Sequence, residues 1–194
     1  MFCNYLKNLI ILQQTIQIQY FKTPIGELIL GSYQDKLCLA DWRYRKMRTA
    51  IDNRIIRGLS AEFEEFESPI IKETKNQLIA YFERKRRAFD IPLLFVGSEF
   101  QKNVWNELLQ IPYGKTMTYL DLSKKINNEK AIRAVASANG ANAISIIVPC
   151  HRIIGSDGKL IGYAGGLKAK SQLLSIENVR LSMQIDLFGN AEIL

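Results

Sequence analysis

The run YLDLSKKI from Tyr119 to Ile126, the pair Asn127-Asn128, then EKAIRAVASAN from Glu129 to Asn139 and the closing Gly140 decide the architecture of the second half of this chain. Each flank is long enough for a short helix, the asparagines supply a tight polar connection, and glycine readily closes a helix. The pair reads as a helix-turn-helix; any helical hairpin would look the same. Charge sharpens the reading. Between Leu108 and Ile176 nine basic residues (Lys115, Lys124, Lys125, Lys130, Arg133, Arg152, Lys159, Lys168, Lys170) face only Asp121, Glu129 and Asp157. A polyanion-binding surface needs such an excess, concentrated around the helix pair.

Upstream, Ser98 with Gln101 forms a capping box, and Phe100, Val104, Trp105, Leu108 and Leu109 line one face of the helix it opens. Ile111-Pro112-Tyr113-Gly114 stops that helix, and Asp90-Ile91-Pro92 marks a boundary before it. The first half reads differently. Ile16, Ile18 and Tyr20 alternate with glutamines, the period of a half-buried strand. Glu27–Leu30 and Lys36–Ala40 flank Gly31–Asp35 as a hairpin. From Ile70 to Arg87, Ile71, Leu78, Ile79 and Phe82 share a helical face that ends in the basic run Glu83–Arg87, either a solvated helix end or a phosphate contact. The expected fold is α/β: a sheet-plus-helix domain over residues 1–92, with 1–15 as an extension, and a mainly helical domain over 93–182. Residues 183–194 form a tail.

The 194 residues are 47% hydrophobic and 23% charged, which excludes a disordered chain, and no apolar run is long enough to span a bilayer. The net charge of +7 suits a polyanionic partner without requiring one. Cys3, Cys38 and Cys150 are an odd, scattered set, and the greasy start Leu6–Leu12 is followed by no small-residue cleavage site. A reducing cytoplasm is therefore expected, with no disulfide framework. With His151 as the sole histidine there is no zinc set.

Chemistry gathers in one place. Ile144–Val148 reads as a buried strand delivering Pro149-Cys150-His151-Arg152 at its end. A cysteine thiol becomes a nucleophile when a neighbouring base or cation promotes the thiolate, and His151 adjoins Cys150. The alternative is that Cys150 is a small core residue, and successive side chains on a strand point apart.

Val148-Pro149-Cys150-His151-Arg152-Ile153-Ile154 resembles the active-site signature of the 6-O-alkylguanine-DNA alkyltransferases. The resemblance runs from about Tyr20 to Glu177. Thr23-Pro24-Ile25-Gly26 and Leu39-Ala40-Asp41-Trp42 resemble the amino-terminal domain of bacterial members. The carboxy-terminal domain is matched by Phe100-Gln101 with Val104-Trp105, Ile111–Thr116, Arg133-Ala134-Val135, Ala138–Asn142 and Gly162–Leu167. The resemblance implies a ribonuclease-H-like first domain and irreversible transfer of the alkyl group of 6-O-methylguanine in flipped-out DNA to the protein itself, with no cofactor. 4-O-methylthymine is a further candidate substrate. Cys150 would be the nucleophile, His151 its base through a bound water, and Glu177 the carboxylate orienting that histidine, unless Glu177 is merely a solvated residue on a last helix from Lys170 to Val179.

Tyr119 would donate to the ring of the departing base, and Asn142 would hold the turn before the active-site strand. Tyr119, Val148, Tyr163 and Ala164 would meet the substrate. Arg133 would enter the base stack from a helix lying in the minor groove. Ala131 and Ala134 would keep that helix slim, or simply let it pack closely. Lys124, Lys125, Arg152 and Lys170 are the phosphate-contact candidates. The position after Asn142, commonly proline in the family, is Ala143.

The tail Gln184-Ile185-Asp186-Leu187-Phe188 resembles the peptide by which bacterial repair proteins dock on the sliding clamp, with Leu187 and Phe188 as anchors and Gln184 bonding beside them. The alternative is packing on its own domain. The expected protein is a monomer on double-stranded DNA, with no membrane association. Three rivals stand against alkyl transfer. A damage sensor would lack the cysteine, a transcriptional regulator would favour one duplex sequence, and a cysteine hydrolase would leave the basic helix pair unexplained.

Overall fold

Period-two alternation in the first strand, β1 (Thr15–Thr23), sends Ile16 and Ile18 inward, and the chain then doubles back twice. β2 (Gly26–Tyr33) pairs antiparallel with β1, and β3 (Lys36–Trp42) pairs antiparallel with β2. Gln34 and Asp35, both at positive φ, make the tight turn between them. The structure, a computed structural model, describes residues 15–179; Cys3 and the Gln184–Phe188 peptide lie outside the described residues. A helix, α1 (Arg48–Leu59), then crosses over to β4 (Glu62–Glu65), which lies parallel to β1, giving the order β3-β2-β1-β4. Both faces of this sheet are covered. Ile16, Ile29, Leu39, Ile51 and Ile55 pack on one side, and Leu28, Leu30, Leu37 and Ala40 join the main core on the other.

The next helix, α2 (Pro69–Phe82), begins with proline in the first turn, where no N–H is needed, and Ser68 Oγ accepts from Ile71 N at 3.2 Å. It ends five residues before the expected Arg87. Arg84 adopts a positive φ, so the basic run lies beyond the helix, and Ile79 is exposed rather than on the buried face. The capping box forms as read: Ser98 Oγ accepts from Gln101 N, and Gln101 Oε1 accepts from Ser98 N. It opens α3 (Glu99–Leu109), which buries Val104, Trp105 and Leu108 while Leu109 stays on the surface.

Thr118 caps α4 (Tyr119–Lys125), and Asn127, at positive φ, turns the chain. A 3-10 turn (Glu129–Ala131) leads into α5 (Ile132–Gly140). Gly140 is the last residue of this helix rather than its left-handed stop, and Ala141 follows in a right-handed conformation. Two-residue strands β5 (Met117–Thr118) and β6 (Ile153–Ile154) pair in parallel, and α6 (Gly166–Ile176) closes the described chain.

Ile144–Val148 is not a strand. Ile147 N bonds Ser145 O, Val148 N bonds Ile144 O, and buried Ile146 sits at φ 72. The run folds into a tight turn because the Asn142 side chain substitutes for a ladder: Oδ1 accepts from Ile144 N at 2.9 Å and Nδ2 donates to Val148 O at 3.0 Å. One apolar cluster runs through both halves, from Leu28, Leu37 and Trp42 to Trp105, Val135, Ile144 and Cys150. The sheet of the first half is therefore one wall of the core on which the second half is built.

Candidate active site

The tight turn delivers Cys150 onto a 3-10 turn (Cys150–Arg152), not a strand end, so Cys150 and His151 do not point to opposite faces of a sheet. Cys150 lines the floor of a pocket of about 800 Å³. Around it stand Tyr119, Ala136 and Asn139 from the helix pair, Gly162–Leu167, and Trp42 and Tyr44–Met47 from the first half. Close approach shapes this wall: a Cβ on Gly165 would lie 2.4 Å from Trp42, so only glycine lets the loop lie against the indole.

Burial raises the Cys150 thiol to about 11, opposed by a hydrogen bond from Asn142 Nδ2 to Sγ at 3.1 Å and by the positive charge of Lys170. At rest it is a thiol, so a base must take its proton. Cys38 is the contrast. Burial pushes its thiol up to about 12, its Sγ donates to the Gly31 carbonyl, and among the described residues it lines no part of the large pocket.

The base lies behind the nucleophile. His151 is fully buried, and its Nε2 stands 2.9 Å from Glu177 Oε1. Burial opposes ionisation of Glu177, but hydrogen bonds from His151 and Arg152 override it and hold the carboxyl well below its usual range. An ionised carboxylate can only accept, so Nε2 carries the proton and Nδ1 keeps the lone pair. Nδ1 is buried with no hydrogen-bond partner among the described residues. Burial also lowers the His151 pKa, the glutamate opposing, so the ring is neutral and able to accept a proton.

Glu177 sits just past the end of α6, not within it, and is buried, not solvated. Tyr81 Oη donates to Oε1 at 2.8 Å, Arg152 donates to both oxygens, and Gly114 N donates to Oε2 at 3.1 Å. These ties join four separate segments at one carboxylate.

Tyr119 is half-buried in the pocket wall, with its hydroxyl 3.5 Å from Asn139 Nδ2. Burial, then proximity to Cys150, raises its pKa, so it holds its proton. Tyr163 and Ala164 line the pocket, whereas the Val148 side chain is fully buried and absent from its lining. Arg133, Ala134, Lys124 and Lys125 are exposed, and Ala131 is half-buried.

Two expected phosphate contacts must be corrected. Arg152 is 7% exposed and committed to Glu177 and the Ile111 carbonyl. Lys170 is 0% exposed, and its Nζ donates to Ile161 O at 2.6 Å and to Gly162 O at 3.4 Å. Its charge serves the loop that carries Tyr163 and faces the thiol from inside. The sequence alone assigns no role to Asn139, Trp42, Tyr81 or the charged side chains around Asp41. Asp41, a lone acid in the apolar run Leu37–Trp42, was the available signal.

Two family models match consecutive parts of the chain: the 6-O-methylguanine DNA methyltransferase ribonuclease-like domain over residues 16–95, and the DNA binding domain of the same enzymes over residues 99–179. The chain belongs to the methylated-DNA–protein-cysteine methyltransferase family. The member from Methanosarcina acetivorans is 44% identical over 157 residues, covering 81% of this chain and 95% of the relative. The constitutive member from Bacillus subtilis is 38% identical over 162 residues, covering 81% and 93%. The crystal structure of the Mycobacterium tuberculosis family member in complex with DNA matches with a TM-score of 0.70 at 36% identity, covering 84% of this chain and 92% of that one. The family's fold is thus the α/β arrangement described above. Among the described residues no group of three or more His, Cys, Asp and Glu is placed to hold a metal, and no helix is long and apolar enough to cross a membrane.

Proposed function

We propose that this protein repairs DNA by direct reversal, moving the methyl group of 6-O-methylguanine onto Cys150. The observation that carries the reading is the buried Cys150 thiol on the floor of an open pocket, with Asn142 on its sulfur and the His151–Glu177 pair behind it.

A base inside a duplex is beyond reach, so the damaged guanine must turn out of the stack into the pocket. The exposed face of α5, with Arg133 and Ala134, enters the minor groove beside the half-buried Ala131 of the preceding 3-10 turn, and Arg133 fills the gap the base leaves. Lys124 and Lys125 hold phosphate. In the transfer, His151 Nδ1 takes the thiol proton through one water, sulfur attacks the methyl carbon, and the carbon–oxygen bond breaks as the carbon–sulfur bond forms. The electrons of the broken bond pass into the purine, which regains its carbonyl form by taking the Tyr119 hydroxyl proton; the His151 imidazolium then releases the thiol's proton to water, and Tyr119 regains one from water. The net change is one proton from thiol to base and one methyl from base to thiol. Glu177 stabilises the imidazolium formed on the way.

A thioether is not hydrolysed under these conditions, so each molecule acts once. The chain works as a cytoplasmic monomer, and 4-O-methylthymine is a second candidate substrate. The Gln184–Phe188 peptide resembles a clamp-docking motif; deleting residues 184–194 abolishes binding to the sliding clamp on this reading, and unchanged affinity removes it.

Intact-mass spectrometry after incubation with a duplex carrying one 6-O-methylguanine tests the main reading. The expected result is a gain of one methylene mass on Cys150, ceasing at one equivalent and absent in Cys150→Ala. Tight binding without mass gain would leave a damage sensor, and neither binding nor gain would remove the reading altogether.

A further inference from the structure

The segment linking the end of α5 to the nucleophile, Gly140–Ala143, carries four consecutive backbone carbonyls, and each accepts a hydrogen bond from the first half of the chain. Arg45 Nη2 donates to Gly140 O at 2.6 Å, and Arg54 Nη2 donates to Ala141 O at 2.8 Å. Arg45 Nη1 donates to Asn142 O at 3.0 Å, and Ala40 N donates to Ala143 O at 2.9 Å. Asp41, fully buried, anchors Arg45: its Oδ2 accepts from Arg45 at 2.6 Å and Arg48 at 3.0 Å, while Oδ1 accepts from Ser145 Oγ at 3.1 Å. Arg45 is itself buried, and Arg54 lies over the Trp105 ring at 5.3 Å.

Cations at the carbonyl end of a helix satisfy its unpaired acceptors and complement its dipole. Here they also set the path of the backbone at Asn142, whose Nδ2 reaches Cys150 Sγ at 3.1 Å. No contact of this kind is local in sequence. Arg45 lies 95 and 97 positions from the carbonyls it binds.

We infer that Arg45, anchored by Asp41, and Arg54 are positioning residues for methyl transfer: they hold the Gly140–Ala143 backbone so that Asn142 keeps its amide on the Cys150 sulfur. The first half of the chain would thereby take part in the chemistry through the backbone it holds, beyond lining the pocket. The inference rests on the transfer function proposed above.

Arg45→Met and Arg54→Met in the full chain, measured beside wild type, test it under single-turnover conditions. The dissociation constant for a 6-O-methylguanine duplex and the first-order rate of Cys150 methylation are read separately, with circular dichroism to establish folding. In Arg45→Met the expected transfer rate falls about tenfold to a hundredfold, the range for a small misplacement of a reacting group, while the dissociation constant holds. Arg54→Met, which gives up one carbonyl contact, should show a smaller loss of the same kind, and Arg45→Lys should recover part of the rate. Combined with Asn142→Ala, Arg45→Met should cost little more than Asn142→Ala alone, because both act through one amide.

A folded Arg45→Met that transfers at the wild-type rate overturns the inference. So does a loss confined to DNA affinity, or a double variant whose losses multiply. If Arg45→Met does not fold, Arg54→Met is judged by the same rate and affinity criteria. Wild-type protein that fails to methylate Cys150 would sink the proposed function instead, an outcome separate from any ratio between variants.

Discussion

Glu177 ties Tyr81, Gly114 and the His151-Arg152 turn together at one buried carboxylate. Its carboxylate accepts from Tyr81, Gly114, His151 and Arg152, so removing its charge would strand a buried guanidinium and unseat the histidine. Glu177→Gln should therefore lower stability by about 3–5 kcal/mol, the usual result of breaking a buried pair from one side, measured by urea denaturation. Tyr81→Phe removes one donor and should cost about 1 kcal/mol in the same assay.

The sign of the pH dependence follows from the two depressed pKa values. Glu177, held below its ordinary 4.5, contributes stability that is complete above that value and is lost as pH falls through the folded-state value. His151 must be neutral to accept the thiol proton, and burial places its pKa below the ordinary 6.5. The transfer rate should hold from pH 8 down to about 6.5 and fall only at lower pH, as single-turnover rates across that range would show. A decline beginning above pH 7 would mean that another group supplies the base.

At the scale of elements, the helix pair has an opening cap, an exposed basic side and a tethered end. Thr118 Oγ1 accepts from Asp121 N at 3.0 Å, so Thr118→Ala should destabilise α4 by about 1 kcal/mol in thermal unfolding. Lys124 and Lys125 lie at its far end in the open. Replacing either with alanine should weaken DNA binding equally across sequences and reduce the slope of log affinity against log salt by about 1.

Legibility also varies element by element. β1, β2 and β3 show in the sequence because alternation and a continuous apolar run are local patterns, and the capping box is spelled in four residues; β4, with Phe63 its one apolar residue, shows no such pattern. The helix Arg48–Leu59 gave no such signal: its buried residues are only Ile51 and Ile55, among polar positions. The apolar run Ile144–Val148 reads as a strand because hydrophobicity alone does not distinguish a ladder from a turn stapled by Asn142. In the site, the Cys150–His151 signature is contiguous and therefore readable. Arg152 and Lys170 read as phosphate contacts in the sequence because composition counts charge without revealing burial. The contacts of Arg45 and Arg54 with Gly140–Ala143 connect positions far apart in the chain, and only the fold discloses them.

For the whole molecule, the two halves share their interior. Leu28, Leu37 and Trp42 belong to the same buried cluster as Trp105, Val135 and Cys150. Residues 15–179 should accordingly melt in a single transition, with calorimetric and van't Hoff enthalpies equal. Two resolved transitions would show that the shared core and the arginine contacts contribute little to cooperativity.

The four carbonyls of Gly140–Ala143, each answered from the first half, also bear on how such proteins can be recombined. A chimera joining this chain's second half to the first half of a relative would inherit a nucleophile without its brace unless counterparts of Ala40, Asp41, Arg45 and Arg54 crossed over together. Those four positions form a unit of inheritance with the turn they grip, although the boundary between the two halves falls between them.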